Sequence, residues 1–223
     1  MTSLHPSPHR DWRRSWLACT LLAGTAAQPA AEVVLSDLRF GLESLPTAFT
    51  YHVHDSGSDV SGTSTFQYGF GLAGRGVYSF GAPGSSGAFF VGGALDLQAY
   101  TYAGSGRYDV AMLRALGGYA YAFDDQWTAE VCPFVGVGLG RFRIPGNEFF
   151  QPITTSGHVI DYGADVGVSY ALSRHWLIQA RAGWLVSTAT LSGEGLDVSL
   201  EQSGPTGFIG VAYRFGGTPP PIR

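Results

Sequence analysis

The chain has 223 residues, of which 45% are hydrophobic and only 13% charged, against roughly 25% charged in an average soluble domain. Formal net charge is -4, all 13 basic residues are arginine, and no basic tract follows the first few residues, which argues against a nucleic-acid partner. The 32 glycines are spread along strand-like segments, so the composition fits one folded all-β domain and not disorder.

Residues 1–31 read as an export signal with an approximate cleavage point. Arg10, Arg13 and Arg14 form a basic start, "SWLACTLLAGTAA" is a short apolar run, and small residues follow. That run is too short to cross a bilayer as a helix. Too little apolar sequence precedes Cys19 for a lipoprotein box. Its removal with the signal leaves Cys132 alone, so no disulfide, metal or redox motif is implied.

No helical period follows. Eight segments of period 2 are predicted instead, at 37–51, 64–80, 88–103, 107–123, 127–143, 158–172, 176–191 and 196–215. The connections 81–87, 124–126 and 173–175 fall at one end. The connections 52–64, 104–106, 144–157 and 193–195 fall at the other, and two of these are long. An even meander with a short-turn end and a longer-loop end is the layout of an outer-membrane barrel.

The segments are two-faced. In 64–80, Phe66, Tyr68, Phe70, Leu72, Tyr78 and Phe80 oppose Gln67, Gly69, Gly71, Ala73, Arg75 and Ser79. In 158–172, Ile160, Tyr162, Val166, Val168 and Tyr170 oppose Asp161, Gly163, Asp165, Gly167 and Ser169. Eight strands in a closed barrel leave an interior just wide enough for side chains to fill. Small residues and a few charges fit inside; ranks of Phe, Tyr, Leu and Trp from every strand do not. The bulky face is therefore predicted to meet lipid. In the last segment this places Ile209, Val211, Tyr213 and Phe215 outside and Arg214 inside.

Aromatic positions fit the same arrangement. Tyr78, Phe80, Tyr121, Phe123, Trp127, Tyr170, Trp176, Tyr213 and Phe215 gather at the short turns, and Phe49, Tyr51, Phe66 and Tyr68 toward the long connections. The signal region, the eight alternating segments, the short turns and the closing "FIGVAYRF" resemble the small OmpA/OmpX-like outer-membrane β-barrels over about residues 33–215. The resemblance implies an eight-stranded antiparallel up-and-down transmembrane β-barrel over 32–215. It also implies that the terminal strand is read by the barrel-assembly machinery. In that family the chain usually ends on the aromatic; here the Pro-containing tail 216–223 follows Phe215.

The predicted lumen holds Arg39, Arg75, Arg114, Arg181 and Arg214 against Glu43, Asp96, Glu130, Asp161 and Asp165. Unpaired charges in so narrow a space are costly, so each arginine is expected to meet a carboxylate. His52, His54 and His158 form a weak metal pattern without fixed spacing. Ser156, His158 and Asp161 suggest a hydrolase only by nearness, and parity turns His158 away from Asp161. The glycines of "GVGLG" precede no helix and so form no phosphate loop. Pro133 predicts a bulge, because a closed barrel offers it no free edge.

The function expected is that of an integral outer-membrane barrel with a structural or surface-interaction role, without catalytic activity or cofactor. Its expected partners are membrane lipid, the assembly machinery, and an external ligand or surface met through 52–64 and 144–157. A narrow channel for small solutes is the alternative. A lipid-modifying enzyme and a soluble lipocalin-like barrel stand behind it.

Overall fold

The structure is a computed structural model. It describes residues 36–44, 48–55, 57–80, 85–102, 106–144, 152–193 and 195–215; the expected signal 1–31 and tail 216–223 lie outside these. Extended segments rich in β-branched and aromatic side chains cannot satisfy their own backbone groups, so each needs a partner on both sides. Ten strands meet that need: β1 (Ser36–Ser44), β2 (Phe49–Asp55), β3 (Ser58–Ser64), β4 (Phe66–Phe80), β5 (Gly87–Tyr102), β6 (Gly106–Ala122), β7 (Trp127–Ile144), β8 (Ile153–Ala171), β9 (Trp176–Gly193) and β10 (Leu196–Arg214).

Every pairing is antiparallel. β1 pairs with both β4 and β10, so β1 and β4 through β10 close a ring of eight staves in meander order. The two remaining strands lengthen the first two staves. β2 pairs with the outer half of β10, from Phe49↔Gln202 to His54↔Asp197, and β3 pairs with β2. Residues 52–64, expected as a long loop, therefore form a hairpin. The reason is that β10 extends well past β1, and its outer half would otherwise present an unpaired edge. In this hairpin His54 bonds Asp59, whose carboxylate holds the imidazole above its ordinary pKa.

Three further expectations are corrected. β8 begins at Ile153 rather than at 158, because Ile153–Gly157 pair with Gly140–Ile144 of β7; the connection 144–157 shortens accordingly. Pro133 causes no bulge. The β6–β7 register is the same on either side of it, at Leu116↔Phe134 and Tyr119↔Val131, and only the rungs between are missing. A bulge occurs instead between Phe66 and Tyr68. It turns Phe66 into the barrel, where Phe49 also lies, so neither belongs to an outer aromatic girdle. Pro205 pairs with Trp184 of β9 and lies on β10 between the stretches that pair with β1 and β2, where a missing N–H costs no rung.

The ring closes over glycine. Gly41 of β1 faces Gly210 of β10, and a Cβ on Gly41 would lie 2.3 Å from the Ile209 carbonyl oxygen and 2.7 Å from the Gly210 Cα. Gly41→Val should strain or part this seam, at a cost of about 1–3 kcal/mol. Gly74→Val, where an added Cβ meets nothing within 4 Å, should not. The temperature at which the compact gel band of the folded barrel is lost measures the difference; equal temperatures would refute it.

Candidate functional site

The two faces of the wall have different environments along their length. Toward the short turns and through the middle, the outward side chains are apolar, among them Leu113, Val137, Leu139, Ile160, Val166, Trp184 and Ile209. On β7 this run extends from Trp127 to Leu139 and rises about 30 Å at ~3.3 Å per residue and ~40° tilt. At the short-turn end it finishes in touching aromatics: Tyr78 with Phe80, Tyr121 with Phe123, Trp127 with Tyr170, and Trp176 with Tyr213, which also meets Phe215. Ile209, Val211 and Phe215 are exposed on this belt, and Tyr213 packs within the girdle.

Beyond the belt, toward the connections, the chemistry changes sides while the pleat does not. On β9 the outward residues become Thr188 and Thr190, and the inward ones become Ala189 and Leu191. On β10 Ser199 and Glu201 point out while Val198 and Leu200 are buried. On β8 Ser156 and His158 point out and Val159 is buried. The inward side chains here form a core in which Phe49 stacks on Phe66 at 4.4 Å and Tyr102 on Phe142 at 4.5 Å. The expectation that the interior holds only small and charged residues fails in this outer part. Water outside the wall makes an apolar face stable only if it turns inward.

Below that core lies the charged lumen, in which a smaller apolar cluster of Val77, Phe90 and Cys132 is set toward the short turns. Arg114 of β6 donates to Asp161 of β8 (Nη2 to Oδ2, 2.6 Å) and to Asp96 of β5 (Nη1 to Oδ2, 2.6 Å). Arg39 of β1 reaches the other Asp96 oxygen at 3.2 Å. A second chain runs through Arg75 of β4, which donates to Glu130 of β7 at 2.8 Å and to Asp37 of β1 at 2.9 Å. Arg181 of β9 donates to the same Glu130 and to Asp165 of β8. Gln98 donates to Glu43 at 2.8 Å. The guanidinium groups of Arg114 and Arg39 also lie over the rings of Phe134 and Phe208, at 4.9 and 5.4 Å.

Register explains how these pairs fit. Arg114 and Asp161 both stand opposite Gly136, on the staves to either side of it. A Cβ at Gly136 would lie 2.3 Å from Asp161 Oδ1 and 2.7 Å from Arg114 Cγ. Glu130 and Arg181 flank Gly167 in the same way, and Arg39 and Asp96 flank Ala73. Each pair spans two staves across a residue too small to interfere. Small voids of about 40 Å³ and 10 Å³ lie among these side chains.

Nine of the ten sequence-predicted lumen charges have a polar partner in this region. Arg214 does not: it points inward, but no carboxylate lies within ion-pair distance among the described residues, and its Nε is without a hydrogen-bond partner. Sequence reasoning missed Asp37 and Gln98. Both were available from parity, since Asp37 shares the face of Arg39 and Glu43, and Gln98 that of Asp96. The remaining motifs do not assemble. No group of three metal-ligating side chains occurs among the described residues, and Ser156 and His158 face outward while Asp161 is buried inside.

Eight antiparallel staves closed in meander order, with charges inside and an outward apolar belt, define the class by fold: an up-and-down antiparallel β-barrel with the layout of an outer-membrane barrel. No protein-family model matches the sequence, and no curated protein matches it. Among solved structures the chain is similar to Ail, the attachment invasion locus protein of Yersinia pestis, in complex with the heparin analogue sucrose octasulfate; identity is 16%, coverage 81% of this chain and 99% of that one, TM-score 0.31. It is also similar to Neisserial surface protein A (14%, 80% and 97%, 0.36) and to the outer membrane protein OprG from Pseudomonas aeruginosa (13%, 83% and 98%, 0.38).

Removing one member of the network should show its worth. Arg114→Ala leaves Asp96 and Asp161, both almost fully buried, without their main counterion. The expected cost is about 3–5 kcal/mol. Asp165→Asn, at a more exposed carboxylate that shares Arg181 with Glu130, should cost less. Urea titration of the folded barrel in lipid vesicles would rank the two, and the reverse order would contradict the network.

Proposed function

We propose that this protein is an integral barrel of the bacterial outer membrane, exported by its amino-terminal signal, with a structural or surface-presenting role and no catalytic one. One observation carries the reading. The wall is apolar outside through the belt and polar outside beyond it, while the interior holds the charge network at belt level and an apolar core beyond it, as expected where lipid gives way to water. The short-turn end then faces the periplasm. The β2–β3 hairpin and the connection between β7 and β8 are presented to the outside, where an external ligand or surface would be met. The terminal strand ending at Phe215 is the segment offered to the barrel-assembly machinery.

The same reading makes the barrel closed to solutes. Arg75 and Glu130 join β4 to β7 across the interior, the outer end is blocked by stacked aromatics, and the voids among the charged side chains hold about 40 Å³ and 10 Å³. A single water needs ~10–15 Å³ on this scale, so a few waters fit but no column. The purified barrel in planar bilayers should therefore carry no steady current. A large ohmic conductance would replace this reading with the narrow-channel one.

Membrane placement is tested at Val166, outward on β8 and 57% exposed at mid-belt. Val166→Arg should reduce stability in vesicles by about 2–4 kcal/mol. Thr190→Arg, outward on β9 beyond the belt, should be nearly neutral. Equal, small effects at both sites would show that no bilayer surrounds the belt.

A further inference from the structure

The outward wall carries its positive charge in one place. The chain has no lysine, and among the described residues Arg39, Arg75, Arg114, Arg181 and Arg214 point into the lumen while Arg174 sits in a short turn. The remaining three arginines, Arg107, Arg141 and Arg143, all face outward on β6 and β7. Register groups them: Arg107 stands opposite Arg143, and Asp109 opposite Arg141. Arg107 donates to Asp109 at 2.6 Å, while Arg141 and Arg143 have no acidic partner among the described residues. The cluster is net positive by two charges and lies just past Leu139 and Leu113, where the belt ends. A guanidinium is costly at mid-bilayer but costs only about 0–1 kcal/mol at the interface. This level is where lipid headgroups lie.

A groove of about 540 Å³ leads to the cluster along the outer surface. One wall follows the register line Phe40, Leu72, Leu97, Ala111, Leu139 across five staves. The other follows Phe70 and Ala99 and then turns charged at Asp109 and Arg141. Staves are tilted, so such a line runs obliquely. It starts low, at Phe40 opposite Val211 near the girdle, and ends at the charged rim. Ala99 and Ala111 keep it open where larger side chains would close it. The groove is apolar along its length and cationic at its outer end. The opposite rim, with Asp197 and Glu201 outward on β10, is anionic and would repel the same ligand.

We infer that this groove is a binding site for a phosphate-bearing lipid of the outer leaflet. Its acyl chain lies along Phe40, Leu97 and Ala111, and its phosphate is held by Arg107, Arg141 and Arg143. The shape asks for an amphiphile, and the charge asks for an anionic head. Arginine is the side chain whose planar fork fits phosphate oxygens in pairs. The inference rests on the membrane placement proposed above, and the test separates the two.

The folded barrel is placed in phosphatidylcholine nanodiscs containing lipid A with both phosphates, and bound lipid is read by native mass spectrometry after detergent release. The unmutated barrel should retain lipid A in preference to its dephosphorylated form. At roughly fivefold per arginine near a membrane surface, the variant Arg107→Gln/Arg141→Gln/Arg143→Gln should lose about a hundredfold in retention. Arg174→Gln should lose none. Ala111→Trp, which fills the groove and leaves the charges in place, should also weaken retention, and it guards against misfolding of the triple variant. A barrel that inserts but retains lipid A equally with and without the three arginines overturns the inference and leaves the placement standing. A barrel that does not insert overturns both. Displacement of lipid A by equimolar inorganic phosphate or a sulfated glycan would reassign the arginines to a soluble polyanion and overturn the lipid site.

Discussion

A ring of eight strands encloses a space too narrow for a water-filled pore and too wide to leave empty. The rest of this structure follows from filling it. In the middle, arginines from β1, β4, β6 and β9 reach carboxylates on β1, β5, β7 and β8, and the interior is spanned by charge-assisted hydrogen bonds instead of apolar contacts. Their placement across Gly136, Gly167 and Ala73 shows why small residues line this wall. A long arginine lying over a neighbouring stave needs that stave to carry almost no side chain.

The ion pairs also shape how the protein tolerates its own surroundings. With lipid outside, an apolar interior would give the belt region no preferred side for its two faces. Charges inside remove that ambiguity, because turning them toward acyl chains costs kilocalories for each residue. Past the belt, the constraint reverses. Water outside drives Leu191, Val198, Leu200 and the aromatic stack inward, and the outer barrel packs like the core of a soluble protein. On the proposed membrane placement, one continuous pleat serves two solvents, and the level at which the apolar side changes marks the boundary between them.

That boundary gives the outward arginines their meaning. Arg107, Arg141 and Arg143 sit at the change of side, next to a groove descending into the belt, and on the rim opposite the acidic residues of β10. The wall is therefore asymmetric around its circumference as well as along its axis, a property that hydropathy along any single strand cannot reveal.

Much of this was legible in the sequence because a strand has a period of two. Parity split each strand into a charged and an apolar face and separated His158 from Asp161, and the narrow interior of an eight-strand barrel then put Arg39, Arg75, Arg114 and Arg181 inside and Val166 and Ile209 outside. Parity is local, and whatever depended on a second strand was out of its reach. The bulge that turns Phe66 inward, the extension of β2 along β10 and of β3 along β2, the unbroken register at Pro133, and an Arg214 without a carboxylate partner among the described residues are decided by which residues stand opposite one another. So is the gathering of three arginines on neighbouring staves from positions 107, 141 and 143. The sequence by itself determined that the chain alternates and which side of each strand is charged, since the pleat requires nothing but the order of residues. Only the closed ring decided which charges meet, which apolar side chains become a core, and where the outer surface changes from apolar to polar, because those depend on the register between one strand and the next and on the β1–β10 closure.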